Sequence, residues 1–272
     1  MLKDITLGQY FPIDSPVHAM DPRVKILLTL IFIISIFFIK SLWGFAAVAL
    51  YVLIAIKISK VNFMVVLKGV KPILFLIVFT ALINLFMTNG EVVRVGDVYL
   101  RAGFIKITKE GIYNAAIMSL RLVFLIMGTS ILTLTTSPII LTDGVENLLS
   151  PFSKIGLPAH ELAMMMTIAL RFIPTLLEET DKIMKAQMAR GADFESGNII
   201  NRAKALIPIL VPLFISSFRR ADELAVAMEC RCYRGGKGRT RLHELKTESR
   251  DWIACFTMGV LLAAIVIINM FL

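Results

Sequence analysis

The chain has 272 residues, is 57% hydrophobic and only 18% charged, and has a mean hydropathy of +0.78. Soluble domains are about 45–50% apolar and about 25% charged, so a single soluble domain is excluded and an integral membrane protein is the first reading. The net charge of +9 is then read loop by loop for orientation and not as a nucleic-acid signal.

Residues 1–22 carry Asp4, Asp14, Asp21, Pro12 and Pro16 where a cleavable signal would have a continuous apolar run. The region 24–56 is apolar but interrupted by Lys40. As one helix it would be about 50 Å long against a hydrocarbon core of about 30 Å, so it reads as two spans, about 24–40 and 42–57, joined by a tight turn. Lys25, Lys40 and Lys57 are expected to snorkel to the interfaces. Charge-free runs predict further spans at about 72–90 and 112–136. Between them, Val93, Val95, Val98 and Leu100 alternate around Gly96-Asp97, the pattern of a short β-hairpin.

Residues 137–251 hold 30 of the 49 charges and read as helical throughout. A short helix over 143–154 is capped by Thr142 or Asp143, and Gly156 and Pro158 end it. Residues 159–190 form a long amphipathic helix: Leu162, Met165, Met166, Ala169, Phe172, Ile173, Leu176, Ile183 and Met184 recur at helical spacing. Glu178–Lys182 and Asp181–Lys185 are i,i+4 pairs on its wet face, Pro174 should kink it, and Gly191 stops it. A second long helix covers 202–232. Its charge-free stretch, 205–218, is too short to span and is broken by Pro208 and Pro212, so it is placed against the cytoplasmic membrane face. Leu206, Leu210, Leu213 and Phe214 are its candidate contact residues. Residues 252–272 form the last span.

The fold class is therefore an all-α integral membrane protein: a membrane domain over 1–136 with four spans, a cytoplasmic domain of long amphipathic helices over 137–251, and a C-terminal span over 252–272. Twenty-three of the 29 Lys and Arg fall on one side of this topology. That bias places the N-terminus and 137–251 in the cytoplasm and the C-terminus outside.

The two long helices end alike. Asp181, Ala186 and Arg190 align with Asp222, Ala227 and Arg231, so both read D-x4-A-x3-R with the arginine at the helix end. From pattern alone this is either a functional pair or two arginines independently placed beside a negative helix end.

Several other patterns are decoys. His160-Glu161-Leu162-Ala163-Met164 opens like H-E-x-x-H but lacks the second histidine. Cys230, Cys232 and His243 would leave a zinc ion without a fourth ligand. Gly235-Gly236-Lys237-Gly238-Arg239-Thr240 follows a helix and is no P-loop. No metal or nucleotide site is expected. Met164-Met165-Met166 with Met184 and Met188 could form an adaptable partner surface or an ordinary apolar face. Arg121 sits inside a span, as a functional or a bundle-facing structural residue, and Asn84 could bond helix to helix.

At this point the chain resembles a known family, the transmembrane T component of energy-coupling factor (ECF) transporters, related to the cobalt and nickel transporter Q subunit. The resemblance rests on Ala189-Arg190-Gly191 within KAQMARGADF and on ADELAVAMECRCYRGG, where Cys230-Arg231-Cys232 stands in place of the family's second Ala-Arg-Gly. IPILVPLFISSFRRADELA (207–225), ALRFIPTLLEE (169–179) and DPRVK (21–25) add to it. Cys232 removes glycine as the second helix stop, which shifts that role to Gly235-Gly236. The resemblance implies a non-enzymatic scaffold in the bacterial cell membrane. It would join two ABC-type ATPases, docked at Arg190 and Arg231, to a substrate-binding S component specific for a vitamin or a metal ion. Contact with that component or with membrane lipid would involve Leu206, Leu210, Leu213 and Phe214. ATP and Mg would be held by the ATPases, with no cofactor in this chain and no nucleic-acid partner. The competing reading is a conventional ABC permease that lines the substrate path itself. An intramembrane enzyme would need paired catalytic groups, and no Asp, Glu or His lies within the five spans.

Overall fold

In the computed structural model, the structure describes residues 10–87, 94–95, 98–99, 101–102, 105–106, 108–156, 158–192, 194, 199–236 and 245–271. The chain divides into two compact units, one of Gly8–Gly144 with Leu245–Leu272 and one containing Val145–Glu244. The division falls inside a helix, eight residues beyond the expected boundary at 136.

The first unit begins with α1 (Pro22–Phe37), capped by Asp21, whose carboxylate accepts from the Arg23 amide, with Pro22 at the first position. Ser41 caps α2 (Leu42–Ser59) and Asn62 caps the short α3 (Phe63–Lys68). A 3-10 turn leads into α4 (Leu74–Met87). Two antiparallel pairs follow, β1 (Arg94–Val95) with β2 (Val98–Tyr99) and β3 (Arg101–Ala102) with β4 (Ile105–Lys106). Val95 pairs with Val98, as a hairpin turning at 96–97 requires; Val93, Gly96, Asp97 and Leu100 lie outside the described residues. Thr108 caps α5 (Lys109–Thr135), and α9 (Ser249–Phe271) closes the unit.

α5 is the hub, packing on α1, α2, α3 and α4, while α9 packs on α1 and α2. Phe32, Ile36, Val48, Val52, Met127, Leu134, Met258 and Leu261 form the buried core. Phe45 stacks on Phe124 at 6.2 Å. Gly128 lets α5 approach α1, because a Cβ there would overlap the Phe32 ring.

Among the described residues, five stretches are long and apolar enough to cross a membrane: α2, Phe63–Met87, α5, α7 (Ala159–Ala189) and α9. The chain is an all-α integral membrane protein. The set of five differs from the expected one. α1 has sixteen residues, about 24 Å, short of the roughly 30 Å core, because the chain leaves the helix at Phe38 and turns into α2. α7 replaces it on this criterion, since Glu161 and Arg171 are the only charges before Glu178. α1 nevertheless contributes Phe32 and Ile36 to the membrane unit's core, whereas α7 belongs to the other unit.

The two ends of α1 show how apolar helices meet their polar obligations. At its C-terminal end three consecutive carbonyls accept from side chains of other helices. Asn269 Nδ2 donates to Phe38 O (2.9 Å), Arg121 Nη2 to Ile39 O (3.0 Å) and Tyr113 OH to Lys40 O (3.1 Å). Free carbonyls at a helix end are costly in lipid and attract cations. Arg121, which also lies 5.7 Å from the centroid of the Phe37 ring, is thus a bundle-facing structural residue. Asn84 does not join helices; its amide donates to Thr80 O within α4 (2.9 Å).

At the N-terminal end, DPRVK becomes a polar lock. Asp251 accepts from the Asp21 amide (3.0 Å) and from the Glu248 amide (2.8 Å), joining the starts of α1 and α9. Arg23 Nε and Nη2 clamp the Asp21 carboxylate, and Nη2 also donates to Leu245 O (3.0 Å). Burial pushes the Asp21 carboxyl up, but the Arg23 guanidinium and amide outweigh it and hold it below its ordinary value. Lys25 does not snorkel. It is buried, and Nζ donates to His18 O (3.1 Å), Thr135 O (3.1 Å) and Thr136 Oγ1 (3.2 Å).

Candidate functional site

The helix that carries the chain from the first unit into the second starts earlier than expected. α6 (Pro138–Leu149) opens five residues before 143. Ser137 Oγ accepts from the Ile140 amide (3.4 Å) and Pro138 takes the first position, so Ser-Pro outcompetes Thr142 as the start signal. Thr142 instead bonds back to Pro138 O (2.9 Å). A 3-10 turn (Ser150–Ile155) follows.

α7 runs unbroken through Pro174 to Ala189, and α8 (Ile199–Cys230) runs through Pro208 and Pro212. Glu179 holds the pair together. It accepts from Ser216 Oγ (2.5 Å) and from Arg220 Nη2 (2.7 Å). Pro212 has no amide hydrogen, which leaves the Pro208 carbonyl without its helical donor; Gln187 Nε2 supplies one at 3.4 Å. Moving eight residues up α7 from Glu179 to Gln187 moves eight down α8 from Ser216 to Pro208. The helices are therefore antiparallel. Of the expected pairs on α7, Lys185–Asp181 forms at 3.0 Å. Among the described residues none joins Glu178 to Lys182, and the adjacent Glu179 makes the tertiary contact instead.

Both helices end in the same Schellman motif. Arg190 is the C-cap of α7; the Gly191 amide donates to Met188 O (2.9 Å) and the Ala192 amide to Gln187 O (3.0 Å), with Gly191 at φ +88°. At the end of α8 the Cys232 amide donates to Glu229 O (2.8 Å) and the Tyr233 amide to Met228 O (3.0 Å), with Cys232 at φ +55°. Arg231 thus occupies the position that Arg190 occupies. Cys232 itself takes the left-handed place of glycine, which corrects the expectation that Gly235-Gly236 would stop the helix. Gly235, at φ +87°, makes a separate turn. A non-glycine residue in that conformation costs about 1–2 kcal/mol. Cys232→Gly is therefore expected to stabilise this helix end by about 1 kcal/mol, read as a raised Tm of the purified protein with uptake unchanged; a lowered Tm would contradict the cap assignment.

The six cap residues, Ala189, Arg190, Gly191, Cys230, Arg231 and Cys232, are all exposed. Among the described residues neither guanidinium makes an ion pair. Extending the antiparallel register, Arg231 lies level with residue 164 of α7. The two arginines are then about 26 helical residues apart, roughly 40 Å. Glu179 and Arg220, which pair, each precede their own cap arginine by eleven residues. The crossing is equidistant from the two arginine ends.

The second sequence-predicted surface is divided. Leu206, Leu210 and Phe214 lie on an exposed apolar stripe of α8 that continues through Ile207, Val211, Ile215 and Phe218. Leu213 is half-buried and shares the α7-facing side with Ile209, Ser216 and Arg220, so it does not belong to the stripe. The four added residues follow at helical intervals of four, four and three, a signal masked in the sequence because both faces of 205–218 are apolar. On α7, Leu162, Met165, Met166 and Met188 are exposed, while Phe172, Ile173, Leu176, Ile183 and Met184 are half-buried.

His160 Nδ1 bonds Glu146 Oε1 at 2.9 Å, tying α6 to α7, and Gly236 lies against its ring. Cys230, Cys232 and Cys255 are free thiols. His243 and residues 237–240 lie outside the described residues.

The chain is similar to known proteins over most of its length. The family model described as "Cobalt transport protein" (CbiQ) matches residues 14–242. A protein of Clostridium kluyveri named "Energy-coupling factor transporter transmembrane protein EcfT" is 62% identical over 96% of this chain and 95% of its own length. Proteins of the same name from Thermosediminibacter oceani and Bacillus subtilis are 54% and 46% identical, covering 96% and 97% of this chain and the same shares of their own. The chain is a member of the CbiQ cobalt transport protein family, with the transmembrane proteins of energy-coupling factor transporters as its relatives.

Proposed function

We propose that this chain is the non-catalytic scaffold of an ECF-type importer, coupling ATP hydrolysis by two cytoplasmic ATPases to reorientation of a micronutrient-binding S component. The observation that carries this reading is the pair of matched caps. They present two exposed arginines roughly 40 Å apart, at opposite ends of one antiparallel helix pair. A single small partner could not engage both, whereas two copies of one kind of subunit could. Arginine suits such docking because its planar fork engages carboxylates and backbone oxygens at defined geometry.

In this reading Arg190 and Arg231 each enter one ATPase. The Glu179–Arg220 crossing transmits their relative movement, and the α8 stripe meets the S component or the membrane face. ATP and Mg bind to the ATPases. The N-terminus and residues 137–251 face the cytoplasm, and the C-terminus lies outside the cell membrane. Support for the scaffold over a permease comes from Arg121, which donates to Ile39 O, and Asn84, which donates to Thr80 O, so both intramembrane polar side chains are engaged within the bundle.

The test is isolation of the tagged chain from its native membrane and identification of the bound subunits. The expected result is two ABC-type ATPases together with a small integral membrane protein that carries the substrate. Recovery of ATPases with substrate bound to this chain and no third component would favour the permease reading and overturn the proposal.

A further inference from the structure

The membrane unit contains an apolar groove of about 660 Å³ between α1, α2, α5 and α9. On α9 its lining extends from Arg250 to Ala264, about 21 Å of helix rise. That spans the hydrocarbon of one leaflet, half of a core about 30 Å thick. It reaches the end of the bundle that carries Asp21, Lys25 and Asp251, whose charges must lie at a head-group layer because they are costly in hydrocarbon.

Four hydroxyls line the groove, of Thr29, Tyr51, Thr135 and Thr257, and the three threonines are turned to their own helices, Thr135 Oγ1 donating to Ile131 O (2.8 Å). Thr29 Oγ1 donates to Lys25 O (2.8 Å) and Thr257 Oγ1 to Ala254 O (2.9 Å), so both are satisfied within their own helices. The occupant that matches such a wall is a hydrocarbon chain. The charged side chains of its lining are two cations, Lys25 and Arg250, with no carboxylate among them. Lys25 is buried. Arg250 is half-exposed and only loosely paired with Glu248 at 3.4 Å. Lys57, in the last turn of α2, is exposed beside the lining residue Ile58. Asp251 is not a lining residue and is occupied by the Asp21 and Glu248 amides. The balance favours an anionic head group over a zwitterionic one.

We propose that this groove holds one anionic phospholipid, with an acyl chain lying along α1, α2, α5 and α9 and its phosphate at Arg250. The lipid completes the packing of α9 against α1 and α2, where the protein leaves the space unfilled.

The experiment uses the full chain in its purified complex, exchanged into nanodiscs of mixed phosphatidylglycerol and phosphatidylcholine, then released and weighed by native mass spectrometry. The expected result is one retained phosphatidylglycerol per chain. Ala254→Phe with Ala264→Phe, which fills the groove, should abolish retention. Arg250→Gln should keep a lipid but lower the preference for phosphatidylglycerol about fivefold, the share of one interfacial cation. A photoreactive residue at Leu50, on the groove rim, should capture phospholipid. The proposal is overturned if the wild-type chain retains no lipid, if Arg250→Gln leaves the head-group preference unchanged, or if the Leu50 probe captures a partner's transmembrane helix. The Arg250→Gln and Leu50 results decide the matter even where the filled variant fails to fold.

Discussion

Charge reversal at both helix ends, Arg190→Glu with Arg231→Glu, is expected to strip the ATPases from the complex and abolish uptake. Each arginine is an exposed C-cap whose backbone hydrogen bonds are made by its amide, not its side chain. The fold therefore loses only the interaction of a cation with the helix end, less than about 1 kcal/mol per site at an exposed position. A charge-assisted contact buried in a partner is worth more, about 2–5 kcal/mol when truncated. Either single change should leave one contact intact, so the complex persists, weakened, while uptake falls sharply. Subunit retention on affinity purification and uptake into reconstituted vesicles measure both effects. Wild-type-like uptake in the double variant would leave the arginines as helix-end charges and nothing more.

Phe214→Asp and Leu210→Asp are expected to release the S component while the ATPases stay bound. Both side chains stand on the exposed stripe of α8, Phe214 at 61% and Leu210 at 45% exposure. A carboxylate there is harmless in the free chain but is buried without a partner in an apolar interface. A central anchor of that kind typically costs at least about 2 kcal/mol, roughly a thirtyfold loss of affinity. Leu213→Asp is the contrasting variant. Its side faces α7, so it should loosen the helix pair and lower Tm, disturbing ATPase and S component retention together. Full retention of the S component in both stripe variants would remove this surface from the interface.

Much of the chain was legible from its residues because the controlling forces are local. Apolar runs located α2, α4, α5 and α9, because about 20 apolar residues suffice to cross hydrocarbon whatever surrounds them. The D-x4-A-x3-R echo and the glycine at 191 marked both long helix ends, since capping depends on a few neighbouring residues. The second cap was misjudged at Cys232, where local propensity argued for a glycine. The rest of the motif imposes φ +55° on cysteine, a conformation costly but accessible.

What tertiary structure alone decided lies in contacts between distant segments. No spacing rule connects Glu179 to Ser216 and Arg220, or Gln187 to the carbonyl that Pro212 leaves free. The same holds for Arg121, whose role depends on where α1 stops, and for Lys25, which the sequence sent to the interface and the fold buried among three acceptors. Leu213 was assigned to the outer stripe because every position from 205 to 218 is uncharged. Hydrophobicity alone cannot tell which face of such a helix meets its neighbour, and only the antiparallel packing on α7 chooses one. Apolar patterning sets where helices form because burial is non-directional; which side chains meet is set by hydrogen bonds, whose geometry exists only once the helices are packed.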